Sequence, residues 1–153
     1  MSRKVLIAVD ASQTAEQALD FYFANIHKDD NLVIIAHSPE QASLPAFTFR
    51  EGLAVPHDEW TKIMQDQNKA QQDLEASYTQ KVIQKKVNYK VVSQPNKGSP
   101  GEHIIKIAED EGATMIVMGS RGLGKIRRTI LGSVSDYVVH HTKIPVVIVP
   151  TRS

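Results

Sequence analysis

Apolar positions along this chain follow two rhythms. Residues 5–9 form a short, continuous apolar run that stops at Asp10, the pattern of a central parallel strand covered on both faces. Beyond it, Ala15, Ala18, Leu19, Tyr22, Phe23 and Ile26 recur at intervals of three and four, which draws one apolar stripe along a helix. Ser12 or Thr14 is expected to cap that helix, with Gln17 three residues after Thr14 in the capping-box relation. Residues 32–36 repeat the buried-strand pattern between polar stretches. From about Ser38 to His57 the periodicity fades and Pro39, Pro45 and Pro56 appear, so this stretch reads as a flap.

A long helix is predicted from Asp58, because Trp60, Ile63, Met64, Leu74, Tyr78 and Val82 share one side of a 3.6-residue period. Its middle, Gln65 to Asp73, is so polar that the N-terminal part should project into solvent or meet a partner. Val87, Tyr89 and Val91 alternate with Asn88 and Lys90, as on a half-exposed edge strand. Ser99, Pro100 and Glu102 mark the next helix start, with serine as cap, proline at the first helical position and glutamate reaching back. Ile104, Ile105 and Ala108 supply its buried face, and Gly112 its left-handed stop. Residues 113–118 read as a strand. Val134, Tyr137, Val138 and His141 belong to a final helix, and residues 144–150 hold a last strand.

Strands and helices thus alternate from end to end. The predicted fold is α/β: a single domain over residues 1–153, with an open parallel five-stranded sheet, helices on both faces and right-handed crossovers. In the strand order 3-2-1-4-5 the crevice where the order reverses lies between the first and fourth strands, which brings Asp10 and Gly119 to one place.

Composition changes this picture little. Hydrophobic residues make up 41% and charged residues 23%, and 18 lysines and arginines face 17 acids for a formal net charge of +1, so nothing general points to nucleic acid or an anionic membrane. The absence of cysteine excludes disulfides, thiol catalysis and cysteine-ligated metals. No N-terminal signal pattern precedes the first strand, and no apolar run approaches the ~18 residues that span a bilayer, which makes a cytoplasmic protein the default expectation.

The chemistry concentrates in residues 118–133. Glycines after a strand let the backbone turn with positive φ and approach a ligand, and the helix behind them aims unpaired N–H groups at an anion. Arg121, Lys125, Arg127 and Arg128 add four cations, and Ser133 and Ser135 add hydroxyls. Gly119, Gly124 and Lys125 match a Walker A loop until Ile126 replaces the hydroxyl that should hold magnesium. A Walker A loop also belongs after the first strand of its domain. The other spacing, Gly119-x2-Gly122-x9-Gly132-Ser133, resembles the ATP-binding motif of the universal stress protein family at every defined position.

The resemblance to that family extends over residues 5–12, 98–112 and 115–122, and hence over nearly the whole chain apart from the flap. It implies a Rossmann-like fold of the adenine nucleotide alpha hydrolase-like type. It also implies binding of ATP or another adenine nucleotide, with Mg2+ brought by the phosphates. By motif position, Gly119 and Gly122 would lie against ribose and phosphate, and Gly132, Ser133 and Ser135 would hold phosphate oxygens, with Val134 and Arg121 beside them. Asp10 would accept a ribose hydroxyl or help position magnesium. Val9, Ala11, Ser38 and Met118 would border the adenine, with Ser38 standing where relatives often carry an apolar residue. The family likeness further suggests a homodimer formed by pairing Ile144 to Val149 with its twin, and a protein partner of unknown identity.

Bland readings compete with each of these. Asp10 would also serve in an Asx turn, and the glycines in turns and packing. Adjacent histidines such as His140 and His141 diverge on a helix, and His37 and His103 are expected in structural or surface roles. Ser12 and Ser120 have no identifiable general base. Three functions follow: an ATP-dependent switch or adaptor in stress response with at most slow hydrolysis, an ATP hydrolase or phosphotransferase using Asp10 and magnesium, and a nucleotide-free scaffold.

Overall fold

The computed structural model describes residues 2–40, 57–120 and 132–150. In chain order these form β1 (Lys4–Val9), α1 (Gln13–Asn25), β2 (Leu32–His37), α2 (His57–Gln84), β3 (Asn88–Ser93), α3 (Pro100–Glu111), β4 (Met115–Gly119), α4 (Ser133–His141) and β5 (Val146–Val149). The strands make one five-stranded parallel sheet, as the alternating pattern predicts, and its order is β3-β2-β1-β4-β5, the expected 3-2-1-4-5. Leu6 pairs with Ile34 on one side and Ile116 on the other, so β1 is central and buried from Val5 to Val9.

Period-two alternation along the strands sends side chains to two separate apolar layers. Val5, Ile7, Val33, Ile35 and Val117 meet Ala18, Leu19 and Tyr22 of α1 and Tyr78 and Val82 of α2. Leu6, Ala8, Ile34, Ala36, Ile116 and Met118 meet Ile104, Ile107 and Ala108 of α3 and Val138 of α4 on the opposite face. Each fully buried aliphatic side chain contributes roughly 1.5–3 kcal/mol of burial free energy. This is what holds the strand ends, and the groups beyond them, in place.

Several expectations are corrected in detail. Of the two cap candidates for α1 the structure uses Ser12, whose hydroxyl accepts from the Ala15 N–H at 3.3 Å, while Thr14 already lies inside the helix. Pro100 opens α3 as expected, but the Ser99 side chain makes no capping hydrogen bond. The buried face of α3 is Ile104, Ile107 and Ala108, with Ile105 only partly covered. Gly112 does end α3 in the left-handed conformation, at φ 71° and ψ 34°.

Helix α2 runs for 28 residues. Its C-terminal half packs through Tyr78 and Val82, whereas residues 65–70 are all exposed and Ile63 is 45% exposed, so the N-terminal part extends beyond the sheet as its polarity implies. β3 and β5 are the sheet's edges, and Tyr89 on β3 is 38% exposed. No helix among the described residues is long and apolar enough to cross a membrane. The flap residues 41–56 lie outside the described residues.

Candidate functional site

Parallel strands deliver their carboxyl ends to one edge of the sheet, and the helices that follow begin there. At that edge β1 and β4 lie side by side, while β2 and β5 flank them. The crevice between them is narrow at its floor, where Val9, Asp10, Thr14, Ser38, Ile104, Met118, Gly119, Val134 and Ser135 meet. It opens into a groove of about 710 Å³ bordered by Ala11, Ser12, His37, Ser38, Pro39, Glu40, Asn96, Gly98, Pro100 and Ser133. The structure therefore gathers Val9, Asp10, Ala11, Ser38, Met118, Gly119, Ser133, Val134 and Ser135 around one opening. Gly132 adjoins it as the N-cap of α4. Arg121, Gly122, Gly124, Lys125, Arg127 and Arg128 lie outside the described residues.

Asp10 is built into the start of α1. Its Oδ1 accepts from the Ser12 N–H at 2.8 Å and from the Ser12 hydroxyl, so the Asx-turn reading is realised at that oxygen. Because the Ser12 hydroxyl donates to Asp10, the 2.9 Å contact between Ser12 Oγ and Thr14 Oγ1 has Thr14 as donor. The chain Thr14, Ser12, Asp10 thus runs in one hydrogen-bond direction toward the carboxylate.

Gly119 answers a steric demand. A Cβ there would stand 2.5 Å from the Thr14 carbonyl oxygen and 2.7 Å from its carbon. The end of β4 touches the first turn of α1 at a distance only glycine allows. Positive φ is not the reason: the left-handed glycines among the described residues are Gly98 and Gly112, and Gly132 has φ −73° and ψ 168°. For Gly119 and Gly132 the expected left-handed turn is therefore corrected to close approach and an extended N-cap, respectively.

Ser133 is exposed at the first position of α4, whereas Ser135 is 2% exposed and its hydroxyl donates to the Gly132 carbonyl at 3.1 Å. Ser38 does not turn its hydroxyl proton to the groove; it donates to the Gln94 carbonyl at 2.8 Å. The first turns of α1, α3 and α4 all border the opening, through Thr14, Pro100 and Ser133. Three positive dipole ends therefore converge on it, an arrangement suited to an anion.

His37, 5% exposed, pairs with Glu75 of α2 at 3.1 Å, and His103 Nδ1 donates to the Ser99 carbonyl at 3.0 Å, so both serve structure as expected. His140 and His141 likewise donate from Nδ1 to the Asp136 and Tyr137 carbonyls. Among the described residues no group of three or more His, Cys, Asp or Glu is placed to hold a metal ion. Sequence reasoning missed Glu40 and Asn96 in the groove wall. Asn96 sits two residues before a left-handed glycine, which was a usable turn signal.

The model of the Universal stress protein family matches residues 1–150. The chain belongs to the universal stress protein family. Universal stress protein MJ0577 of Methanocaldococcus jannaschii is 31% identical over 161 aligned positions, spanning 100% of this chain and 98% of that protein. The solved structure of MJ0577 superposes with a TM-score of 0.67 at 29% identity, covering 100% of this chain and 99% of that one. Universal stress protein structures from Arabidopsis thaliana with AMP bound and from Archaeoglobus fulgidus in complex with dAMP share the fold. Their TM-scores are 0.68 and 0.60, at 20% and 19% identity, with 99% and 97% of this chain covered and 93% and 97% of those chains. In this universal stress protein the family fold thus sets the crevice between β1 and β4.

Proposed function

We propose that this universal stress protein binds ATP or another adenine nucleotide in the crevice between β1 and β4 and acts as a nucleotide-dependent switch or adaptor. The observation that carries the reading is the convergence of Asp10, Gly119 and the Gly132–Ser135 helix start on one opening faced by three helix N-termini. Family membership and the AMP- and dAMP-bound relatives support an adenine nucleotide. The spacing Gly119, Gly122, Gly132, Ser133 supports a polyphosphate.

In this reading the phosphates lie at the first turn of α4 against Ser133 and the neighbouring backbone N–H groups, and Arg121 and Gly122 are assigned to the same phosphates by their motif positions alone. The base lies toward Val9, Ala11, Ser38 and Met118. Asp10, fixed by Ser12, presents its carboxylate to the ribose or to magnesium carried in by the phosphates. Intrinsic hydrolysis is slow or absent, because the Asp10 carboxylate accepts two hydrogen bonds from Ser12 at Oδ1, which stabilise its charge and weaken it as a base toward water. The protein works as a homodimer through β5, whose partner among the described strands is β4 alone, so one side of Val146–Val149 faces outward. A monomeric mass at micromolar concentration would remove that part.

A second reading, the nucleotide-free scaffold, draws on Gly119, whose packing against Thr14 accounts for the glycine without any ligand. Mass spectrometry of small molecules released from the denatured, freshly purified protein separates the two, with calorimetric titration by ATP and AMP in magnesium. Adenine nucleotide released or bound supports the switch; none in either experiment leaves the scaffold.

A further inference from the structure

Asn96 is 3% exposed, yet it makes no contact that the strand and helix ladders require. Its carboxamide joins two segments far apart in sequence. Nδ2 donates toward the Ser38 carbonyl at 2.8 Å, the Ser38 hydroxyl oxygen at 3.1 Å and the Pro39 carbonyl at 3.2 Å. Oδ1 accepts from the Gly98 N–H at 2.8 Å and the Ser99 N–H at 3.1 Å. The Asn96 backbone N–H adds a bond to the Pro39 carbonyl at 2.9 Å, beside the isolated parallel bridge between Glu40 and Asn96.

Both tied segments are walls of the groove: Ser38, Pro39 and Glu40 follow β2, and Gly98 and Pro100 lead into α3. The Ser38 hydroxyl proton is committed to the Gln94 carbonyl, and its oxygen accepts from Asn96, so Ser38 has no proton left to donate to a ligand. Donation to a ligand on this side therefore falls to backbone groups, whose spacing the carboxamide fixes. Gly98 turns at φ 106°, which redirects the chain beyond it so that the Ser99 N–H also reaches Asn96 Oδ1.

We propose that Asn96 is the positioning residue of the base-side wall, setting the distance between the end of β2 and the start of α3 and with it the preference for adenine. This rests on the adenine-nucleotide reading above. The group must be an amide: one half donates to carbonyl and hydroxyl oxygens while the other accepts from two N–H groups. A carboxylate of the same shape keeps the second half and turns the first into a cluster of facing acceptors.

The test is titration of wild type, Asn96→Asp and Asn96→Ser with ATP and with GTP, each folded protein checked by circular dichroism. Wild type should prefer ATP. Asn96→Asp should lose ATP affinity by at least about tenfold at pH 8, with the ATP-to-GTP ratio collapsing toward one. Lowering the pH should restore part of the loss as the introduced carboxyl takes up a proton and can donate. Asn96→Ser, which shortens the link, should narrow the ratio without the pH response. A folded variant with an unchanged ratio overturns the inference, including the case where ATP and GTP weaken equally, because a purely structural residue would affect both alike. If neither variant folds, hydrogen exchange in wild type decides: the Gly98 and Ser99 amides should gain protection on ATP binding, and no gain overturns the proposal. Wild type that binds neither nucleotide removes the adenine-nucleotide reading and this inference together, whereas wild type that binds ATP with variants of unchanged ratio removes the inference alone.

Discussion

The starts of α1 and α4 face the same crevice and are built in opposite ways. At α1 the Ser12 hydroxyl caps Ala15, Asp10 braces Ser12, and Thr14 completes a directed chain of hydroxyls. At α4 the N-cap is Gly132, which has no side chain to offer, and the first helical residue is an exposed serine. The first helix carries a side-chain cap on one of its free N–H groups; the last has none and leaves its end to other groups. Both dipoles face the opening, but the start of α4 has the more of its N–H groups left for recognition.

Substitutions can break this contrast in graded steps. Gly119→Val should be the most damaging, since its new Cβ would collide with backbone atoms of Thr14 at the capped end. A loss of about 3 kcal/mol in denaturant unfolding is expected, and a loss under about 1 kcal/mol would show that the two segments can separate. Gly132→Val should behave in the reverse manner. Its φ of −73° suits any residue, so stability should change by less than about 1 kcal/mol while calorimetry shows ATP affinity falling at least about tenfold. Combined with Gly122→Val, it should abolish binding with the fold intact.

Ser12→Ala should cost about 1 kcal/mol of stability through the lost cap, with ATP affinity changing less than in Gly132→Val. A larger effect on affinity than on stability would erase the division between the two helix starts.

The smallest effect concerns Tyr78, beneath the α1 layer, whose hydroxyl is buried with no hydrogen-bond partner among the described residues. Burial, reinforced by Glu16, Asp10 and Asp20, pushes its phenol well above the ordinary value near 10. Folded Tyr78 stays neutral where the unfolded chain begins to ionise, so this contribution is intact below about pH 10 and stability falls as the pH rises beyond it. Tyr78→Phe should be within about 0.5 kcal/mol of wild type at pH 7 and lose less stability between pH 9 and 11. Thermal melts across that range would show it.

The strands and helices were legible because they follow from patterns that local sequence carries: continuous apolar runs for β1 and β2, alternation for β3, a three-four stripe for α1. Their order in the sheet, and with it the crevice, is not a local property and came with the fold that the family likeness implies. The family likeness was legible in the spacing of Gly119, Gly122, Gly132 and Ser133. What escaped depends on contacts between distant segments. Gly119 looks like a turn glycine, and the clash that demands it comes from a helix more than 100 positions earlier. Asn96 looks like any loop asparagine until the end of β2 arrives beside it.

The seam between β1 and β4 also has a kinetic meaning. Thr114 hydrogen-bonds Lys4 across 110 positions of chain, and the crevice lies at the other end of the same pair of strands. A chain emerging from its N-terminus can pair β1 with β2 early, but it owns no crevice until β4 has closed against β1, the loop closure with the longest entropic reach. The two halves of the site are therefore strangers through most of synthesis, and capture of a ligand there would report that folding has finished.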